Sequence, residues 1–60
     1  MDSFKEYTIK SDVATYHIKL VNGHVTKVSH PLGILRGQRI DKVVAYVEAR
    51  GWTLTLIREN

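Results

Sequence analysis

With 60 residues, no cysteine and nine Lys/Arg against six Asp/Glu, a formal charge of +3, the chain excludes several classes of protein before any element is read. A chain this short buries only about 60% of its unfolded surface, so one small domain over residues 1–60 is expected, without a deep substrate pocket. The lack of cysteine removes a disulfide framework, a thiolate nucleophile and a cysteine-based zinc site.

The first alternating run, KEYTIK from Lys5 to Lys10, places Tyr7 and Ile9 on one side of an extended chain. KSDV supplies turn formers. ATYHIKL then alternates strongly, with Tyr16, Ile18 and Leu20 facing one way and His17 and Lys19 the other. Asn22-Gly23 is the commonest short hairpin signal, because both residues tolerate positive φ, and HVTKVS is the return strand. A two-residue loop pairs Leu20 with Val25 and Ile18 with Lys27, which buries a lysine. A three-residue loop with Gly23 left-handed pairs Ile18 with Thr26 and Tyr16 with Val28, keeps charge off the apolar face, and is the register expected.

Pro31 cannot donate to a ladder, so the third strand ends near His30. The connector HPLGILRGQR carries Leu32, Ile34 and Leu35, Gly33 and Gly37, and Arg36 and Arg39, where a short polar link would suffice. In QRIDKVVAYVEAR the period changes. Ile40, Val43, Val44 and Val47 recur at helical spacing, and Gly51 is a natural C-terminal stop. The valines lower the intrinsic propensity, so this helix depends on packing against a sheet. WTLTLI, with Trp52, Leu54 and Leu56 against Thr53, Thr55 and Ile57, is the last strand.

This order predicts an α+β fold: a small three- or four-stranded, mostly antiparallel sheet with one helix packed on one face, in the order β-β-β-α-β. The expected core is Tyr7, Ile9, Tyr16, Ile18, Leu20, Val28, Ile40, Val43, Val44, Val47, Trp52, Leu54 and Leu56. One helix covers one face, leaving the other wet or against another subunit.

No assembled catalytic group is legible. His17, His24 and His30 fall on the open face, at the hairpin turn and at the end of the third strand, with no carboxylate fixed beside them by local spacing. A serine hydrolase pairing of Ser29 with His30 fails, because neighbours on a strand point to opposite faces. The glycines match neither the Walker loop nor the dinucleotide fingerprint, so no cofactor is implied. No metal site is expected.

The helix is segregated by charge. At 100° per residue, Arg39, Lys42, Tyr46 and Arg50 gather on one flank of the apolar stripe and Asp41 and Glu48 on the other. Arg36 and Arg39 also stand near the positive end of the helix dipole, where cations are disfavoured by roughly 0.3–1 kcal/mol each, a conflict that a phosphate or carboxylate would relieve. The open sheet face, with His17 and Lys19, is polar and mildly basic. It lacks the exposed aromatics on which single-stranded nucleic acids stack, since Tyr7, Tyr16 and Trp52 share the parity of the core.

These features predict a small non-enzymatic binding module, a regulator or inhibitor acting by protein–protein contact through Leu32, Ile34 and Leu35, with self-association as a homo-oligomer. The alternative is a nucleic-acid-binding protein using Arg36, Arg39, Lys42, Tyr46 and Arg50, with Lys19 and Lys27 as further contacts. The apolar runs fall far short of the roughly 20 residues of a membrane span, and the N-terminus lacks a signal-peptide core. No membrane partner and a cytoplasmic location are therefore expected.

Overall fold

The computed structural model describes residues 3–60, in the order β1 (Phe4–Lys10), β2 (Thr15–Val21), β3 (His24–Val28), the 3-10 helix η1 (His30–Leu35), α1 (Ile40–Ala49) and β4 (Thr53–Glu59). The strands form one four-stranded sheet, β3-β2-β1-β4, antiparallel at every pairing. The expected α+β architecture therefore holds, with the last strand returning beside the first. Two local devices set the first reversal: the Ser11 N–H donates to the Ala14 C=O at 2.9 Å, and the Ser11 hydroxyl accepts the Ala14 N–H at 3.0 Å.

The hairpin register differs from the one expected. Asn22 and Gly23 have φ of 52° and 84°, so both central residues are left-handed and the loop has two residues. Leu20 pairs with Val25, after which the register shifts by one and Ile18 pairs with Val28. Thr26 is the extra residue of a bulge, and its hydroxyl donates to the Lys19 C=O at 3.3 Å. The bulge resolves the conflict in the sequence: Val25 and Val28 both reach the apolar face, and Lys27 opposes Lys19 on the other. A plain two-residue loop could not do this, and neither could a three-residue one.

The buried core is Ile9, Ile18, Leu20, Val25, Leu32, Leu35, Val43 and Val47, with Tyr7, Tyr16, Val28, Ile40, Tyr46, Trp52 and Leu54 packed around it half-buried. Three expectations are corrected. Val25 is a core residue because the two-residue turn pairs it with Leu20, and the bulge then brings Val28 to the same face. Val44 and Leu56 are 36% and 44% exposed: Val44 stands about 100° round the helix from the buried Val43, and Leu56 lies on an edge strand of the sheet. Leu32 and Leu35 are buried in the core, whereas Ile34 is 72% exposed.

The connector takes this form because Pro31 starts η1, where a missing N–H costs nothing. With i→i+3 geometry, Leu32 and Leu35 fall on one side and Ile34 on another. The chain then clasps the outer edge of β3: the Gly37 N–H donates to the Val25 C=O at 2.8 Å, and the Val25 N–H donates to the Gln38 C=O at 2.9 Å. An isolated antiparallel bridge between His24 and Arg39 extends the contact. α1 starts directly from Arg39, whose backbone is extended. It ends in a Schellman motif, with the Trp52 N–H on the Val47 C=O at 3.0 Å, the Gly51 N–H on the Glu48 C=O at 3.1 Å, and Gly51 at φ 71°. That turn drops the chain straight into β4.

Equilibrium urea unfolding separates the two kinds of connector residue. Leu35→Ala is expected to lose about 2–5 kcal/mol, the cost of a cavity in a packed core, while Ile34→Ala changes stability by less than about 0.5 kcal/mol, as for an exposed surface site.

Candidate functional site

The one large apolar side chain that η1 leaves outside stands beside the basic flank of α1. Ile34, Leu35, Gln38, Lys42 and Tyr46 line a groove of about 220 Å³ between the two helices. Burial of Leu32 and Leu35 fixes η1 against the core, so Ile34 is held at the rim. On α1, Val43 and Val47 face the core, and the positions one residue earlier, Lys42 and Tyr46, therefore stand on one flank. Four residues apart, they are neighbours along the helix surface. The groove thus joins an apolar rim, a tyrosine ring and an ammonium group.

A second hollow of about 390 Å³ adjoins it, lined by His24, Gly37, Gln38, Arg39, Asp41 and Lys42. Lys42 and Gln38 belong to both, so Arg39 extends the positive charge of the groove toward the start of α1. Asp41, in the first turn, already supplies a negative charge to the dipole there. Arg36 is exposed where η1 ends. The expected flank is therefore brought together in part: Arg39 and Lys42 share one hollow, and Lys42 and Tyr46 share the other.

Arg50 has a different task. Its guanidinium lies 3.5 Å from the centre of the Tyr46 ring and 5.8 Å from that of Trp52, and its Nη1 donates to the Tyr46 C=O at 3.3 Å. The Arg50 N–H bonds instead to Val47, so the side chain satisfies a carbonyl that the helix end leaves free. Trp52 meets Tyr46 edge-on at 6.1 Å and Tyr16 tilted at 6.1 Å, separations typical of favourable aromatic pairs. Arg50 thus caps an aromatic cluster that locks α1 to β2. The one sequence signal of this cluster is the i, i+4 spacing of Tyr46 and Arg50.

The open face of the sheet carries a cross-strand row, Lys27, Lys19, Glu6 and Arg58, one residue from each strand. The Lys19 ammonium lies 5.0 Å from the Phe4 ring centre. Like charges directly opposite, as Lys19 and Lys27 are, cost stability. His17 is on this face, His24 opens β3 and His30 opens η1. Among the described residues no group of three or more His, Cys, Asp or Glu is placed to hold a metal ion, and no helix is long and apolar enough to cross a membrane. Another cleft, of about 210 Å³ at the hairpin end, is lined by Ser3, Phe4, Tyr7, Leu20, Gly23 and Ile40 with Lys5 as its charged group.

Comparison with protein-family models, with curated proteins and with solved structures returns no match.

A double-mutant cycle of Arg50→Ala and Tyr46→Leu, followed by the fluorescence of the single tryptophan, is expected to give a coupling of about 0.5–1 kcal/mol, the range for an exposed cation–π pair. Zero coupling would mean that the stack is incidental.

Proposed function

We propose that this chain is a small non-catalytic binding module, a regulator or inhibitor that acts by protein–protein contact, and that its partner seats in the groove between η1 and α1. The observation that carries this reading is the convergence of Ile34, Tyr46 and Lys42 on one groove, with Arg39 next to it. A protein segment with one apolar anchor and a carboxylate beside it complements those parts. The anchor supplies most of the affinity by covering Ile34 and the exposed part of Tyr46. Exposed ion pairs to Lys42 and Arg39 add little affinity but set orientation and speed encounter. Of the three apolar residues expected to bind a partner, Ile34 alone takes that role, with Leu35 forming the groove floor.

A second reading is favoured by one specific observation, the opposed Lys19 and Lys27 on the open face. A polyanion along the row would relieve their repulsion, and Arg36, Arg39 and Lys42 lie elsewhere on the chain as further phosphate contacts. In this reading the ligand is a nucleic acid bound through its backbone.

One capture experiment separates the two. The full chain is used as bait before and after nuclease treatment, beside Ile34→Glu and Lys42→Glu. The leading reading expects a protein that survives nuclease and is lost with either substitution. Equal capture by bait and both variants contradicts it. If binding instead disappears with nuclease, anisotropy titration with DNA is expected to show a salt slope about 2 smaller for Lys19→Gln with Lys27→Gln, close to one unit per phosphate contact.

A further inference from the structure

The two edges of the sheet are finished differently. Gly37 and Gln38 cover β3, whereas among the described residues no strand pairs with the outer side of β4. The phase of that side follows from the antiparallel ladder, in which hydrogen-bonded and non-hydrogen-bonded pairs alternate. The Asn60 N–H donates to the Phe4 C=O at 3.2 Å, and the register places Thr55 opposite Thr8, Leu54 opposite Ile9 and Leu56 opposite Tyr7, with the shift falling between Glu6 and Tyr7. Thr53 and Thr55 therefore bond inward to β1. Leu54 and Leu56 direct their N–H and C=O groups outward.

Natural edges are usually blunted by charge, proline or a bulge. From Thr53 to Ile57 this strand has neither charge nor proline. The bulge at Ile57 interrupts it only beyond Leu56, where Arg58 and Glu59 stand. Leu56 and Ile57 are also exposed large hydrophobics of the molecule. The open edge is thus uncharged, extended and apolar over the stretch that points its backbone outward.

We propose that β4 pairs antiparallel with β4 of a second copy of this chain, about a two-fold axis through Thr55, to form one continuous sheet of two four-stranded halves. The occupant is a second copy because the edge complements itself. With the axis at Thr55, Leu54 faces the partner's Leu56 and Leu56 faces the partner's Leu54, so every outward N–H meets an outward C=O. Thr55 faces its own image in a non-hydrogen-bonded pair. Two chains of charge +3 also meet on an uncharged stretch, where repulsion is least. An axis normal to the sheet sets both helices on the same side, and the leucines of the two edges then cover one another on that side. The groove of the proposed function contains no β4 residue, so the two proposals stand or fall separately.

Sedimentation equilibrium of the full chain, from low to high micromolar concentration, tests this together with two single-cysteine variants in an otherwise cysteine-free chain. The expected mass rises with concentration to twice 6.9 kDa, and Leu56→Lys weakens association by about tenfold or more. Thr55→Cys forms an intermolecular disulfide under mild oxidation, because Cα atoms of a non-hydrogen-bonded pair lie about 4.5 Å apart, within bridging range. Val13→Cys, in the exposed β1–β2 turn, crosslinks only at the rate of random collision. A wild-type chain that stays monomeric throughout overturns the proposal, and so does a dimer in which Thr55→Cys crosslinks no faster than Val13→Cys. Should Leu56→Lys fail to fold, the Thr55→Cys comparison still decides.

Discussion

Both backbone groups of Val25 are held by the connector that leaves β3, through Gly37 and Gln38, and the other features of the molecule follow from that clasp. It closes one edge of the sheet. It also forces the residues between Val28 and Gly37 to fold back as η1, which carries Leu32 and Leu35 into the core and leaves Ile34 outside. Each clasp bond adds only about 0.5–1.5 kcal/mol net. Its larger effect is topological: with the connector pinned at β3, α1 must start at Arg39 and run back over the sheet to deliver Trp52 beside Tyr16.

The shortness of the chain explains the division of the surface. A single helix of ten residues cannot cover a four-stranded sheet, and η1 acts as a second, shorter cover on the β3 side. Among the described residues no second cover of this kind lies over β4 beside α1, and Leu56 stays exposed there. The groove arises where the two covers meet, and the open edge arises where cover is lacking. Both candidate surfaces are consequences of how a small core is closed, and each carries residues that closure alone does not require: Lys42 and Ile34 at the groove, Ile57 at the edge.

Local patterns made most of the architecture legible. The alternation of Tyr16, Ile18 and Leu20, the Asn22-Gly23 turn, the helical spacing of Val43 and Val47 and the stop at Gly51 each report a choice that neighbouring residues make among themselves. The features that the sequence does not show depend on distant partners. The hairpin register departs from a regular ladder at the Thr26 bulge, which lets Val28 as well as Val25 reach the face that η1 covers. Leu32, Ile34 and Leu35 look equivalent in sequence, and only the i→i+3 geometry of η1 separates them. Val44 and Leu56 look like core residues by spacing, yet Val44 stands on the flank of the stripe and Leu56 on an edge strand, and both stay partly outside. At the candidate site, the flank of Arg39, Lys42 and Tyr46 is visible from helical periodicity. The groove beside it is not, because it needs η1, and neither is the stacking of Arg50 on the Tyr46 ring.

Residue-resolved amide hydrogen exchange tests the clasp most directly. The Val25 and Gly37 N–H groups are predicted to be protected to nearly the same degree as the central β1–β2 amides of Tyr7 and Ile18, since they open only when the connector and the core open together. Exchange of Val25 and Gly37 at the rate of an unstructured chain, while Tyr7 and Ile18 stay protected, would contradict the account, because the connector would then be a loose loop and neither the burial of Leu35 nor the position of Ile34 would be explained.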